Sequence, residues 1–274
     1  PYEEVISEKD EQFTDENNNG KWDKGEPFID ENNNGLFDKY KYTNFPNGQH
    51  LLGTDNQGRD VLSRLVYGFN ISMTFAIVVW ACSYILGIII GGMLGYFGGR
   101  LDLLGLRVIE LYSSIPFLFL LMILATFIKP TVYILALMYV VLTGWIGITW
   151  YIRGEFLREK SKDYVSAAVS MGQSHWNVMF KHILPNSLTP IITFAPFAII
   201  GYIGSLVALD YLGFGLQPPT PSWGELISQG RTNLQYWHLI VAPLTALGGT
   251  LFLITFIGEA IREAFDPKVH SRLR

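Results

Sequence analysis

Five stretches without a single Asp, Glu, Lys or Arg dominate this chain of 274 residues: 69–99, 111–128, 130–152, 182–209 and 232–258. A helix needs about 20 apolar residues to cross a hydrocarbon core of about 30 Å, and every run is close to that length or longer. The pattern therefore predicts an all-α polytopic membrane protein with five spans, at about 69–97, 105–128, 131–151, 188–210 and 236–259. A large soluble protein with buried helices is the alternative, and five such runs in one chain of this length argue against it. Only 16% of the residues are charged, against about 25% in a soluble domain.

The remaining charge orients the spans. Basic residues collect between the third and fourth runs (Arg153, Arg158, Lys160, Lys162, Lys181), after the last run (Arg262, Lys268, Arg272, Arg274) and just after the first (Arg100). The opposite connections hold Lys129 alone, and Glu225 with Arg231. The positive-inside rule then places the first set and the C-terminus in the cytoplasm and residues 1 to about 65 outside. Residues 1–62 carry fourteen acidic and six basic side chains, the rest ten and fourteen. The acidic part speaks against nucleic acid as a partner. Cys82 is the only cysteine, so no disulfide within the chain braces the external part. No signal-peptide pattern opens the sequence. Exporting such a segment implies a preceding first span that this chain lacks.

Within residues 1–50 the sequence repeats: Asp15-Glu16-Asn17-Asn18-Asn19-Gly20 returns as Asp30-Glu31-Asn32-Asn33-Asn34-Gly35. In the first copy, Asp15, Asn17, Asn19, Asp23 and Glu26 fall at positions 1, 3, 5, 9 and 12 of an EF-hand-type loop. Gly20 supplies the turn at position 6 and Lys21 its backbone carbonyl at position 7. Ca²⁺ takes six to eight oxygen ligands, which this spacing offers. The second copy (30–41) keeps Asp30, Asn32, Asn34, Gly35 and Asp38, with the Leu36 carbonyl at position 7, but ends on Lys41. It is expected to bind more weakly or to borrow Glu26 or Glu31. The plainer alternative is a soluble Asn/Asp-rich turn repeat. Pro27 interrupts between the copies, so a structural ion is expected rather than a helix-moving switch.

Residues 51–68 read as an interfacial segment, with a surface helix from Leu52 to Arg64 capped by Thr54 or Asp55. The membrane region runs over 69–274, with a cytoplasmic loop at 152–187. In that loop, small Ala167 and Ala168 permit close approach by a partner, Gly172 permits a turn, and Pro185 marks the entry to the next span. The reading is two short surface helices with a turn between them, suited to a partner's groove. An ordinary basic loop is the bland alternative.

Ser166-Ala167-Ala168, three residues, Gly172, nine residues, then His182, one residue, Leu184-Pro185 resembles the loop by which permease subunits of ATP-binding-cassette (ABC) importers engage their ATPases. Ser166 stands where that family usually has Glu, and His182 where it usually has Ile; His-Ile-Leu-Pro is familiar among its peptide-transport members. Leu52-Gly53-Thr54-Asp55 with Gly58 to Arg64, Leu212 to Gly224, and Gly258-Glu259 with Arg262-Glu263 and Asp266-Pro267 resemble the dipeptide/oligopeptide (and nickel) branch. The resemblance covers about residues 50–274. It implies a bacterial or archaeal inner membrane, a translocation path shared with a second, homologous permease, two ATPase subunits, and a substrate-binding protein outside. The chain has no Gly-x-x-x-x-Gly-Lys-Ser/Thr loop, so it is expected to bind no ATP and to catalyse nothing itself.

Other residues carry weaker signals. Arg107 and Glu110 are placed to pair or to snorkel. Asp210 and Glu259 sit at span ends and read as interfacial. Trp223 and Trp237 are placed with the Pro218, Pro219 and Pro221 loop at the outer interface. Ser113, Ser114 and Thr143 line a path or bond to neighbouring helices. Two rival functions are a calcium-dependent surface receptor and an intramembrane enzyme. Five spans exceed what an anchor needs, and His175 and His182 stand singly.

Overall fold

A computed structural model describes Thr14, Pro27 and residues 43–128 and 130–265. Both candidate calcium loops, Lys129 and the Asp266-Pro267 end of the last matching stretch lie outside the described residues. The first long helix, α1 (Val61–Phe97), begins where Asp60 accepts the backbone N–H of Ser63 at 2.8 Å. Residues 51–60 are turns closed by a bridge between Thr54 and Asp60. The surface helix expected over Leu52–Arg64 is therefore absent, and neither Thr54 nor Asp55 is the cap. Both are buried instead, because Thr54 receives the Asn44 N–H at 2.7 Å and Asp55 binds arginine.

At its far end α1 stops at Gly98, and α2 (Gly99–Ser113) turns away from it. The second apolar run is not one straight helix. It is broken before Pro116, and α2 meets α3 (Phe117–Phe127) at 65°. Proline cannot donate its missing N–H to the turn behind it, which accounts for the break. α4 (Val132–Tyr139) passes through a π-helical turn at Val140–Gly144 into α5 (Trp145–Lys160). Then follow α6 (Asp163–Ser170), the single turn α7 (His175–Asn177), a second π-helical stretch at Val178–Ile183, α8 (Leu184–Tyr211), α9 (Trp223–Thr232) and α10 (His238–Ala264). Among the described residues four helices are long and apolar enough to cross a membrane, or five when the bent α2–α3 pair is one span.

The tightest contact joins α1 to α5. Gly87, Gly91 and Gly95 recur every four residues on α1. A Cβ on Gly91 would lie 2.5 Å from the Thr149 carbonyl oxygen, and one on Gly95 2.7 Å from that of Arg153. Small residues at this spacing let helix backbones touch, which is how helices associate in lipid, where apolar side chains gain nothing over the solvent. Three clusters of buried side chains follow from this contact. One is centred on Phe75, Leu135 and Leu209, one at the α6 end on Phe156 and Met179, and one at the α9 end on Trp223 and Leu239. The outer faces of α2 and α10 stay bare: Leu104 is 68% exposed and Leu253 64%. Apolar faces of that size demand lipid or another subunit.

Gly91→Leu should destabilise the protein by about 1–3 kcal/mol or more, as overpacking does. Gly154→Ala, where a Cβ meets nothing within 4 Å, should leave the midpoint of thermal unfolding in detergent unchanged or raise it.

Candidate functional site

The stretch singled out by sequence forms a compact protrusion at one end of the bundle. α6 ends in a reciprocal turn: Gly172 N–H donates to Val169 O at 3.0 Å, and Gln173 N–H to Ala168 O at 3.2 Å. Gly172 sits at φ +76°, the left-handed conformation that closes this type of helix end, so the expected turn is where the sequence placed it. The two alanines differ. Ala167 is exposed, whereas Ala168 is 1% exposed and packs with Val165, Val178 and Ile183 inside the chain. The expectation that both face a partner holds for Ala167 alone.

Ser166 lies outward beside Ala167. Val169, Met171 (71% exposed) and Trp176 (57% exposed) add an apolar crest that the sequence reading missed; the signal was bulky apolar residues directly flanking the small ones. His182 faces inward and its Nε2 lies 2.9 Å from Gln173 Oε1, holding the turn. Leu184 packs on the core cluster. Pro185 stands at the entry to α8, where the sequence placed it, although no break precedes it. The chain is already helical from His175, and Pro185 sits in the first turn of α8 just past the π-helical stretch.

The protrusion is wired to the spans. Tyr96, near the end of α1, places its hydroxyl 2.8 Å from His175 Nδ1. Lys160 donates to the Tyr96 carbonyl and lies over its ring at 5.5 Å. Asp102 on α2 takes a two-pronged bond from Arg153 on α5, at 2.5 and 2.6 Å. Glu159, almost fully buried, accepts from Lys162 at 2.7 Å and Tyr164 at 2.8 Å. Desolvation and the bond to Glu159 push the Tyr164 hydroxyl up to about 12, so it remains a donor. Arg107 and Glu110 do pair, at 2.6 Å, but both are exposed, and such a pair contributes at most about 1 kcal/mol.

The opposite end is closed by buried charge. Arg59 binds Asp55 through Nε at 2.7 Å and Glu225 at 3.1 Å. Arg64, with a side chain 1% exposed, binds Glu225 at 2.5 Å and the Thr220 carbonyl at 3.3 Å. Burial opposes the charge on Arg59, but Asp55 and Glu225 outweigh it and hold the guanidinium above its ordinary value. Gln229 ties Glu225 to the Asn56 N–H. Two stretches about 160 residues apart, Leu52–Arg64 and Leu212–Gly224, thus form one structure. Asp210 is buried rather than interfacial, accepting from Ser222 at 2.5 Å and the Leu216 N–H at 2.7 Å. Trp223 is also no membrane anchor: it is 2% exposed and donates to Leu65 O at 2.9 Å. Trp237 is 55% exposed and Glu259 lies in an exposed pair with Arg262. Ser113 and Ser114 bond back to carbonyls of their own helix, and Thr143 falls in the π-helical turn. Among the described residues no group of three or more His, Cys, Asp or Glu is placed to hold a metal.

Comparison with known proteins decides what this frame belongs to. Residues 83–271 match the model of the binding-protein-dependent transport system inner membrane component. The chain belongs to that family. The family is a membrane component of transport systems, which leaves the receptor alternative unsupported. A peptidoglycan transport system permease protein, YejE, of Agrobacterium fabrum is 44% identical over 79% of this chain and 57% of its own length. The inner membrane ABC transporter permease protein YejE of Escherichia coli is 42% identical over 81% and 65%. The oligopeptide transport system permease protein OppC of Haemophilus influenzae is 36% identical over 81% and 71%. The chain thus spans less than two thirds of the length of the two YejE proteins. A chain of the MetNI methionine ABC transporter, in an inward-facing conformation, superposes with a TM-score of 0.58 at 19% identity, over 75% of this chain and 97% of its own; this shows the fold.

Glu225→Ala removes a carboxylate shared by two buried guanidinium groups and leaves Asp55 as their nearest acidic partner. Removing one partner of a buried ion pair costs about 3–5 kcal/mol, so thermal unfolding in detergent should shift down sharply. Glu225→Gln, which keeps an acceptor for Gln229, should lose less.

Proposed function

We propose that this chain is one of two membrane subunits of an ABC importer for dipeptides or oligopeptides, driven by separate ATPase subunits and supplied by a substrate-binding protein at the α9 end. The observation that carries this reading is the exposed crest of Ser166, Ala167, Val169, Met171 and Trp176, mounted on a stiff turn and bonded to α1 and α5. Small residues beside large apolar ones suit a groove on a partner. The relatives' names, oligopeptide, dipeptide and peptidoglycan transport, favour a peptide-like solute. On this reading the α6 end is cytoplasmic, as its basic residues require, and the α9 end and residues 1 to about 65 are external. Closure of the ATPases pulls the α6–α7 protrusion. His175 and Lys160 pass that movement to Tyr96 and α1, and Arg153 passes it to Asp102 and α2, so that the spans alternate between openings.

Copurification from native membranes tests the assignment. ATPase subunits and a second permease should accompany the full-length protein. Ala167→Arg should release the ATPases from a folded permease, while Ala168→Arg should lower the amount of folded chain. Normal ATPase retention by Ala167→Arg would remove α6 from the interface.

We also propose that residues 15–26 bind Ca²⁺ through Asp15, Asn17, Asn19, the Lys21 carbonyl, Asp23 and Glu26, with a weaker second site at 30–41. Supporting this, Thr14 N–H donates to Pro27 O at 2.8 Å. That bond joins the two residues flanking the twelve-residue run, the closure a loop around an ion requires. Titration of the purified protein with Ca²⁺ should show one tighter event, lost in Glu26→Gln, while Mg²⁺ at equal concentration should not compete.

A further inference from the structure

Residues 1–41 and 55–64 are rich in charge, but the strap between them, from Tyr42 to Thr54, carries no Asp, Glu, Lys or Arg. Its described part, from Thr43, is not helical. It folds back on itself through hydrogen bonds. Asn44 N–H donates to Thr54 Oγ1 at 2.7 Å, and Thr54 N–H returns a bond to the Asn44 carbonyl at 3.0 Å. Asn47 Oδ1 accepts from the N–H groups of Gln49 and His50 at 2.9 and 2.7 Å. The His50 carbonyl accepts from those of Asn47 and Gly53, both at 2.9 Å. Much of the strap's polar backbone is thus satisfied internally, while its large apolar side chains are not covered: Phe45 is 50% exposed and Leu51 68%.

The strap sits level with the start of α10. The Phe45 ring lies 5.2 Å from that of Tyr236 and 5.7 Å from that of His238, the first residue of α10. His238 Nε2 is 3.3 Å from the Thr54 carbonyl oxygen. Helix length then sets the depth of that level. From Trp237 to Glu259 the axial distance is about 33 Å, taking about 1.5 Å per residue, and a hydrocarbon core measures about 30 Å. With the exposed Glu259–Arg262 pair at one boundary, Trp237 falls at the other, where tryptophan is favoured. Trp237 also continues the bare stripe of Val241, Leu244, Phe252 and Phe256 along α10, and exposed Leu234 lies one turn beyond it. Backbone that approaches lipid must have its N–H and C=O groups satisfied, as much of the strap has. A surface kept for a soluble partner stands in water whenever that partner is away. Loss of charge only in the stretch level with the bilayer boundary fits lipid instead.

We propose that Phe45, Leu51, Leu234 and Trp237 form an interfacial anchor that dips into the headgroup–acyl boundary of the bilayer at the α9 end. The inference needs α10 to cross the bilayer and is independent of what the transporter carries. The test uses the complete transporter, with second permease and ATPases, in phosphatidylcholine proteoliposomes. A fluorophore is attached at Phe45→Cys in a chain that also carries Cys82→Ala. Interfacial side chains lie about 5–10 Å into the headgroup–acyl boundary. The label should therefore lose more emission to lipid spin-labelled near its headgroup than to lipid spin-labelled near its chain ends, and little to iodide in the water. If Phe45→Cys does not assemble, Leu234→Cys, at a position 73% exposed, carries the measurement. Strong quenching by iodide with little by either lipid would put the strap in water and overturn the anchor. Little quenching by all three would show that a protein, the second permease or the substrate-binding protein, covers this face, and would overturn the lipid assignment as well. Either result leaves the importer reading standing.

Discussion

Backbone contact between α1 and α5 is the constraint from which the rest of this architecture hangs. At Gly91 and Gly95 the two helices come so close that carbonyl oxygens of α5 occupy the space side chains would fill, and at Gly87 the Ile148 side chain does. In lipid, where burying apolar surface gains little, that closeness is itself the source of attraction, through dispersion and weak Cα–H···O contacts. It fixes the rotation of α1, so Tyr84 faces an open apolar cleft between α1, α5 and α8, Tyr96 faces His175 and Arg64 faces the α9 end. One helix thus carries a determinant for the middle of the protein and for each of its ends.

Those ends are built on opposite principles. At the α9 end, two arginines and two carboxylates are packed together and pair with one another. A buried ionic lattice of this kind adds little net stability but penalises every misassembly, because any single partner left alone is expensive. At the α6 end, Asp102–Arg153 and the buried carboxylate of Glu159 lie beneath the surface, Lys162 reaches it from a half-exposed position, and the crest beyond them is small and apolar. The first arrangement holds two distant stretches in fixed register. The second presents a rigid relief whose supports run directly into three helices.

Much of this was legible in the residues. Charge-free runs gave the helices, and the spacing from Ser166 to Pro185 located the protrusion and its turn at Gly172. What stayed hidden were facts of pairing. Ala167 and Ala168 are chemically identical, and only helix phase against Val178 and Ile183 buries one and exposes the other. Asp210 and Trp223 read as interfacial because sequence shows proximity to a span end, not the Ser222 hydroxyl or the Leu65 carbonyl that draws each inward. The break before Pro116 was written in the proline, but an unbroken apolar run masked it. The Gly87-x-x-x-Gly91-x-x-x-Gly95 series was equally visible and marks the central helix contact.

The stretch Val178–Ile183 is wound as a π-helix, so its turns hold more residues than α-helical ones. A helix with such a surplus contains a stored slip. Returning one residue to ordinary winding would turn everything beyond it by about 100° and advance it by about 1.5 Å. Because this surplus lies between the protrusion and a span, a small push on one side is convertible into rotation of the helix face on the other, with the backbone remaining hydrogen-bonded throughout.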